Sequence, residues 1–95
     1  AGVWGVDPDS LPGPGRSASE LLAALGLPDG PKAMLVFGSN IAVSAPDARA
    51  VQQRLAALDL LVVADFVAGE TAMSADVVLP VAQWAEEEGT MTNLE

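Results

Sequence analysis

Ala33-Met34-Leu35-Val36-Phe37-Gly38-Ser39-Asn40 decides the fold. Five consecutive apolar residues that stop at a Gly-Ser-Asn turn suit a strand covered on both faces, as in a parallel sheet. The pattern recurs downstream. Leu60-Leu61-Val62-Val63 predicts a second strand ending at Ala64-Asp65, and Asp76-Val77-Val78-Leu79 a third, closed by Pro80. Between the first two, Ser44-Ala45-Pro46-Asp47 predicts a helix start, with Ser44 as cap, Pro46 in the first turn and Asp47 at the capping-box position. Ala48, Val51, Leu55 and Leu58 recur at helical spacing and predict its buried face; Arg49, Gln52, Gln53 and Arg54 fall mostly on the wet side. Glu70 to Ala75 predicts a helical turn or slightly more. Strand, helix, strand, short helix, strand is the order of a parallel α/β sheet with right-handed crossovers.

Upstream, Ser17-x-x-Glu20 is a capping box that opens a short helix through Leu21, Leu22 and Leu25. Gly26 suits its left-handed C-terminal cap. Pro28, Gly30 and Pro31 predict the turn into the first strand. Residues 1–16 contain Asp7-Pro8-Asp9-Ser10-Leu11-Pro12-Gly13-Pro14-Gly15, a loop-rich lead-in, so the α/β core is expected at 17–95. No internal repeat and no low-complexity tract interrupts it.

Composition narrows the function classes. With 51% apolar and 18% charged residues the chain is a packed domain rather than a disordered one. At this length it buries only about 60–65% of the surface its unfolded form exposes. A net charge of −9 repels phosphate backbones, so nucleic acid is not an expected partner, although a nucleotide held by backbone amides is compatible with it. Zero cysteines exclude disulfides, thiolate metal sites and a cysteine nucleophile from these residues, and zero histidines remove the commonest general base. No apolar run approaches the roughly 20 residues that span a bilayer, and no signal peptide is visible. The chain begins with Ala1 rather than methionine, and is read as an excised segment of a longer protein.

The residues that could carry chemistry lie where the strands end. Ligands of open parallel sheets bind outside the carboxyl ends of the strands, which selects Gly38-Ser39-Asn40, Ala64-Asp65 and the residues after Pro80. Gly38 lets a ligand approach the backbone, and Asn40 offers donors and an acceptor; a plain strand-to-helix turn would use the same three residues. Asp65 could accept ribose hydroxyls or cap the turn that follows it. Gly-x-Gly-x-x-Gly is absent, which disfavours an ordinary NAD site. Paired carboxylates can do acid–base work or bind Mg²⁺, but Glu86-Glu87-Glu88 is expected to be a solvated face. Glu70 and Asp76 are expected to cap helices or fix loops, and Trp84 to pack.

Asp65-Phe66-Val67-Ala68-Gly69-Glu70-Thr71-Ala72, Ala75-Asp76-Val77-Val78-Leu79-Pro80 and Glu86-x-x-Gly89-Thr90-x-Thr92-Asn93-x-Glu95 together resemble the molybdopterin oxidoreductase family, the nitrate reductases, formate dehydrogenases and their relatives. The similarity runs from about Trp4 to Glu95 and is most specific from Asp65 onward. It implies a Rossmann-like α/β domain, present here in part, that holds one of two molybdopterin guanine dinucleotides (bis-MGD) bearing molybdenum. Position by position, Gly38 and Asn40 match a cofactor-contact loop, Ala64 and Asp65 a pair at the nucleotide end, and Glu87 a position in the Glu-x-x-Gly-Thr loop; Thr90, Thr92 and Asn93 are expected to be structural. Ile41 stands where a proline often follows the asparagine, Gly69 where threonine is common, and Glu87 where lysine or another polar residue is frequent. The family's motif continues with Gly-Arg after Glu95, consistent with an excised segment; a cloning scar at Leu94-Glu95 is the rival explanation of the last two residues.

The resemblance implies no catalytic residue and no metal ligand in these residues. It places any iron–sulfur cluster elsewhere in the parent, makes the isolated chain redox-inactive, and makes the remainder of the parent subunit its partner, with an electron-transfer partner beyond. A cytoplasmic location is expected, as is self-association through apolar surface that the rest of the subunit would cover. The alternative is a homologous metal-free structural domain of a respiratory NADH dehydrogenase iron–sulfur subunit. A third, an unrelated nucleotide-binding module, would require a discrete pocket within these residues.

Overall fold

The structure, a computed structural model, describes residues 2–90 and 92. The readings that rest on Ala1, Asn93, Leu94 and Glu95 lie outside the described residues. Three parallel strands form one sheet in the order β1 (Ala33–Phe37), β2 (Leu60–Asp65), β3 (Val77–Pro80). Four helices connect or precede them: α1 (Ala18–Ala24), α2 (Ile41–Ser44), α3 (Ala48–Ala56) and α4 (Glu70–Met73). Short 3-10 turns stand at Pro8–Ser10 and Trp84–Glu86. The α/β fold expected from the apolar runs is therefore present, with each strand within two residues of its predicted bounds.

Local chemistry explains most of the element ends. Ser17 and Glu20 form the reciprocal capping box, the Glu20 carboxylate accepting the Ser17 backbone N–H at 2.8 Å. That bond, together with one from the Ser17 hydroxyl, holds the Glu20 carboxyl below its ordinary pKa. Gly26 follows α1 with φ +70, a conformation a side chain would resist; a Cβ there would also come within 2.5 Å of Ala57 Cβ and 2.8 Å of the Ala57 carbonyl oxygen. Lys32 donates to the Leu27 carbonyl at 2.6 Å, tying off the turn before β1. Asp76 fixes the entry to β3: its carboxylate accepts the Leu61 N–H at 2.7 Å and its own N–H donates to the Leu61 carbonyl at 2.9 Å.

The region after β1 departs from expectation. Ser44 does not cap α3. The chain makes an extra helical turn, α2, and Ser44 ends it, its hydroxyl donating back to the Asn40 carbonyl at 3.0 Å. The reason is Pro46, which drives the residue before it out of the helical region; Ala45 is extended, at φ −78 and ψ 149. Asp47 then becomes the N-cap, in the left-handed region at φ 55, and its carboxylate accepts the Ala50 N–H. Pro46 thus lies outside the helix. Val51 and Leu55 are buried as the spacing requires and Leu58 is partly buried, but Ala48, in the first turn, is exposed.

Burial explains why the sheet is not the sandwiched one the apolar runs suggest. The core joins Leu25, Val36, Ala42, Val51, Leu55, Leu61, Val63 and Ala72, so every helix contributes to, or packs against, one face of β1 and β2. The register sets Met34 beside Leu61 and Val36 beside Val63 on that face. On the opposite face Leu35 is 61% and Phe37 71% exposed. All four residues of β3 are exposed. Helical cover thus lies on one face of β1 and β2; on the other face Ala64 is buried and Val62 partly buried between their strand neighbours, and the outer strands are exposed. Residues 2–17 are exposed throughout, and none of them joins the core. A radius of gyration of 16.4 Å exceeds the roughly 13 Å of a compact domain of this size.

Candidate functional site

The carboxyl edge of the sheet gathers the ends of all three strands. Phe37 pairs with Ala64 and Asp65 with Pro80 in the parallel register. The Gly38 N–H donates to the Ala64 carbonyl at 2.8 Å, and the Val81 N–H to the Asp65 carbonyl at 3.2 Å. Gly38, Ala64, Asp65 and Val81 therefore form a continuous backbone rim, which the three apolar runs imply once they pair in parallel.

Gly38 has φ +56, and a Cβ built on it would meet nothing within 4 Å. The turn thus needs a residue tolerant of the left-handed region, and the space beside it stands open to a ligand. Ala64 is buried in the central strand, where its small methyl falls in the row between Phe37 and Leu79. Asp65 is partly exposed, and its Oδ1 accepts the Phe66 N–H at 2.8 Å. The turn-capping role is therefore real, and it uses one carboxylate oxygen; the other makes no hydrogen bond among the described residues.

Asn40 stands at the same edge, but its side chain is engaged with the protein. Its amide oxygen accepts the Thr71 hydroxyl at 2.8 Å and the Thr71 N–H at 3.2 Å. Its amide nitrogen donates to the Glu70 carboxylate at 2.5 Å. That bond is the main cause holding the Glu70 carboxyl below its ordinary pKa. The Thr71 hydroxyl in turn accepts the Ala42 N–H at 3.0 Å, so Asn40, Thr71 and Ala42 form a chain that ties the end of β1 and the start of α2 to α4. Glu70 does fix a loop, as expected of it, through a partner 30 residues away. Thr71 is not among the site residues expected from the sequence; its signals are its place in the Asp65–Ala72 motif and at the turn after Gly69, and nothing local connects it to Asn40.

Glu87 is exposed and no hydrogen bond joins it to the other four residues. It follows the Trp84–Glu86 turn, whose start is capped by Glu86 accepting the Gln83 N–H at 2.9 Å. With Trp84, Glu88, Gly89 and Thr90 it lines a shallow hollow beyond β3. Trp84 is 70% exposed, which corrects the expectation that it packs. The acidic run is solvated at each position. Among the described residues no cluster of three or more His, Cys, Asp or Glu could hold a metal ion, and no helix is long and apolar enough to cross a membrane.

The family described as "Molybdopterin oxidoreductase" matches residues 12–95. The assimilatory nitrate reductase catalytic subunit of Bacillus subtilis is 44% identical over 96 residues, covering 100% of this chain and 13% of the relative. The F420-dependent formate dehydrogenase 1 subunit alpha of Methanococcus maripaludis is 44% identical over 95 residues, again 100% of this chain and 14% of the relative. An NADH-quinone oxidoreductase subunit of Rhizobium meliloti is 40% identical over 97% of the chain and 10% of its own length. The chain thus spans about one-seventh of the length of the first two relatives. No solved structure matches it significantly. A matched span that includes all three strands and their carboxyl rim shows that the chain belongs to the molybdopterin oxidoreductase family.

Proposed function

We propose that these residues form part of a cofactor-binding domain in a larger molybdopterin-dependent oxidoreductase subunit of the nitrate reductase or formate dehydrogenase type, with residues 1–16 as lead-in and 17–95 as α/β core. The family implies a molybdenum–pterin cofactor; the finer reading is that this rim holds the nucleotide end of one molybdopterin guanine dinucleotide. The observation that carries it is the juxtaposition, on adjacent strands, of the open left-handed turn at Gly38 and the half-engaged carboxylate of Asp65.

The residues fit such a group in part. The bare backbone at Gly38 and the small Ala64 admit a flat ligand to the strand ends. The Asp65 carboxylate suits the N–H donors of a guanine or the hydroxyls of a ribose. Asn40 keeps one amide N–H to donate. Glu87, beyond β3, would reach the same group as an acceptor for N–H donors and would repel its phosphates. Every buried side-chain polar atom among the described residues is already partnered, so binding rests on groups at the exposed rim. The bound pterin dithiolene would supply the metal site at which substrate is oxidised or reduced; this chain's share is to hold the dinucleotide tail. The metal ligand, any iron–sulfur cluster and the electron-transfer partner belong to the remainder of the subunit and its surroundings, and a cytoplasmic location is part of this reading.

The similarity to an NADH-quinone oxidoreductase subunit supports a second reading, in which the same domain is structural. A nuclear magnetic resonance titration separates the two. Guanosine diphosphate at millimolar concentration is expected to shift the amides of Gly38, Ser39 and Asp65, more than adenosine diphosphate does. Asp65→Asn is expected to weaken the guanosine response about tenfold, as loss of a charge-assisted hydrogen bond does. No response at these amides, or an equal response to both nucleotides, overturns the binding role and leaves the structural one.

A further inference from the structure

The Asn40 amide has a fixed orientation. Its oxygen faces two donors from Thr71, the hydroxyl at 2.8 Å and the backbone N–H at 3.2 Å, and its nitrogen faces the Glu70 carboxylate. Reversing the amide would set its N–H₂ group against the Thr71 N–H and its oxygen against a carboxylate, so only one assignment satisfies the network. Both lone-pair directions of the oxygen are used, and one of the two N–H bonds of the nitrogen. What Asn40 can offer to the open rim is therefore a single donor and no acceptor.

Thr71 enforces that choice. It is 1% exposed. Its hydroxyl donates to Asn40 and accepts the Ala42 N–H at 3.0 Å, which couples the amide to the first turn of α2. Gly69 leaves room for the arrangement: a Cβ there would stand 3.1 Å from Asn40 Nδ2 and 3.4 Å from its Cγ, tighter than ordinary contact. Glu70 gives the neighbourhood a negative charge, so a phosphate oxygen is a poor companion for the remaining N–H and a neutral acceptor a good one. Asp65, one strand over, is an acceptor.

We infer that Thr71 is a positioning residue of the rim: together with Glu70 and the bare Gly69 it locks Asn40 as a donor, so the rim divides into a donor at β1 and an acceptor at β2. The group bound at Asn40 is then a neutral acceptor such as a carbonyl oxygen, and the group bound at Asp65 an N–H or O–H donor. The ligand half of this inference rests on the nucleotide-binding reading; the lock itself does not.

The test uses the isotopically labelled chain. Thr71→Val keeps the shape and removes the hydroxyl; Thr71→Ser keeps the hydroxyl. Thr71→Val is expected to speed hydrogen exchange at Ala42 about tenfold or more and to collapse the distinct side-chain amide resonances of Asn40, since a buried N–H loses its acceptor. Thr71→Ser is expected to stay within about threefold of the parent, because the same hydrogen bonds persist. With guanosine diphosphate, Thr71→Val should lose the response at Ser39 and Asn40 and retain it at Asp65, a split that general loosening of the fold would not produce. Should Thr71→Val fail to fold, Thr71→Ala carries the test: displaced Asn40 resonances and faster exchange at Ala42 are expected. Unchanged Ala42 exchange and unchanged Asn40 resonances in the folded variant overturn the lock. A parent chain with no nucleotide response, yet with the exchange effects intact, overturns the binding reading alone.

Discussion

The two faces of the sheet have nearly the same composition and opposite fates. On one, Met34, Val36, Leu61 and Val63 meet the helices, and Leu61 and Val63 are sealed from solvent. On the other, Leu35, Phe37, Val77 and Leu79 of the outer strands lie exposed, while Val62 and Ala64 of the central strand are shielded between them. Helices α1 to α4 all serve the first face, and the Asn40–Thr71 chain binds two of them to each other and to β1. The contrast teaches that an apolar strand states only how much surface it must lose, not where its cover comes from. Relatives about seven times longer hold ample chain to supply the second layer.

The largest effect expected from this asymmetry is on stability. Leu61→Ala should cost about 2–5 kcal/mol, the range for a fully buried leucine, and Leu35→Ala within about 1 kcal/mol, since most of its surface is already wet. Urea denaturation of the two variants checks this; equal losses would mean that both faces are covered in solution. Next is association. The bare face is expected to drive reversible self-association, as exposed apolar patches do, and Leu35→Lys to shift the chain toward monomer without unfolding it. Sedimentation of a strictly monomeric, compact parent chain would break the comparison, because the second face would then need no cover.

The smallest effect concerns the polar tie on the covered side. The Asn40 amide holds Glu70 below the ordinary glutamate value of about 4.3. A lowered folded-state pKa means that the contribution is complete above the unfolded value and is lost as pH falls through the folded one. Glu70→Gln should therefore be slightly less stable than the parent at neutral pH, and the gap should close in acid. Glu20, lowered by the Ser17 backbone and hydroxyl, loses its contribution in the same window and in both proteins, so the difference isolates Glu70. A gap that widens in acid would contradict the hydrogen bond.

Some of this was legible because it is local. The Ser17 and Glu20 cap, the left-handed Gly26 and the apolar runs are each decided by residues within a few positions of one another. The failures come from competition. At Ser44 the capping pattern is present, but Pro46 forbids a helix through Ala45, and the next competent cap is Asp47. The site divides in the same way. Gly38, Ala64 and Asp65 are readable as strand ends, since parallel pairing sends all such ends to one edge. Among the described residues no hydrogen bond joins Glu87 to them, and it lies in the turn beyond β3.

By itself the sequence determined the α/β class, the direction of the strands, the rim where their ends meet and the family, through motifs that are contiguous in the chain. Tertiary structure alone decided which face of the sheet is covered and what Asn40 does. Asn40 and Thr71 are 31 positions apart. Their hydrogen bonds exist only because β1 and α4 pack side by side, and burial of the Thr71 hydroxyl makes an exchange of partners with water costly.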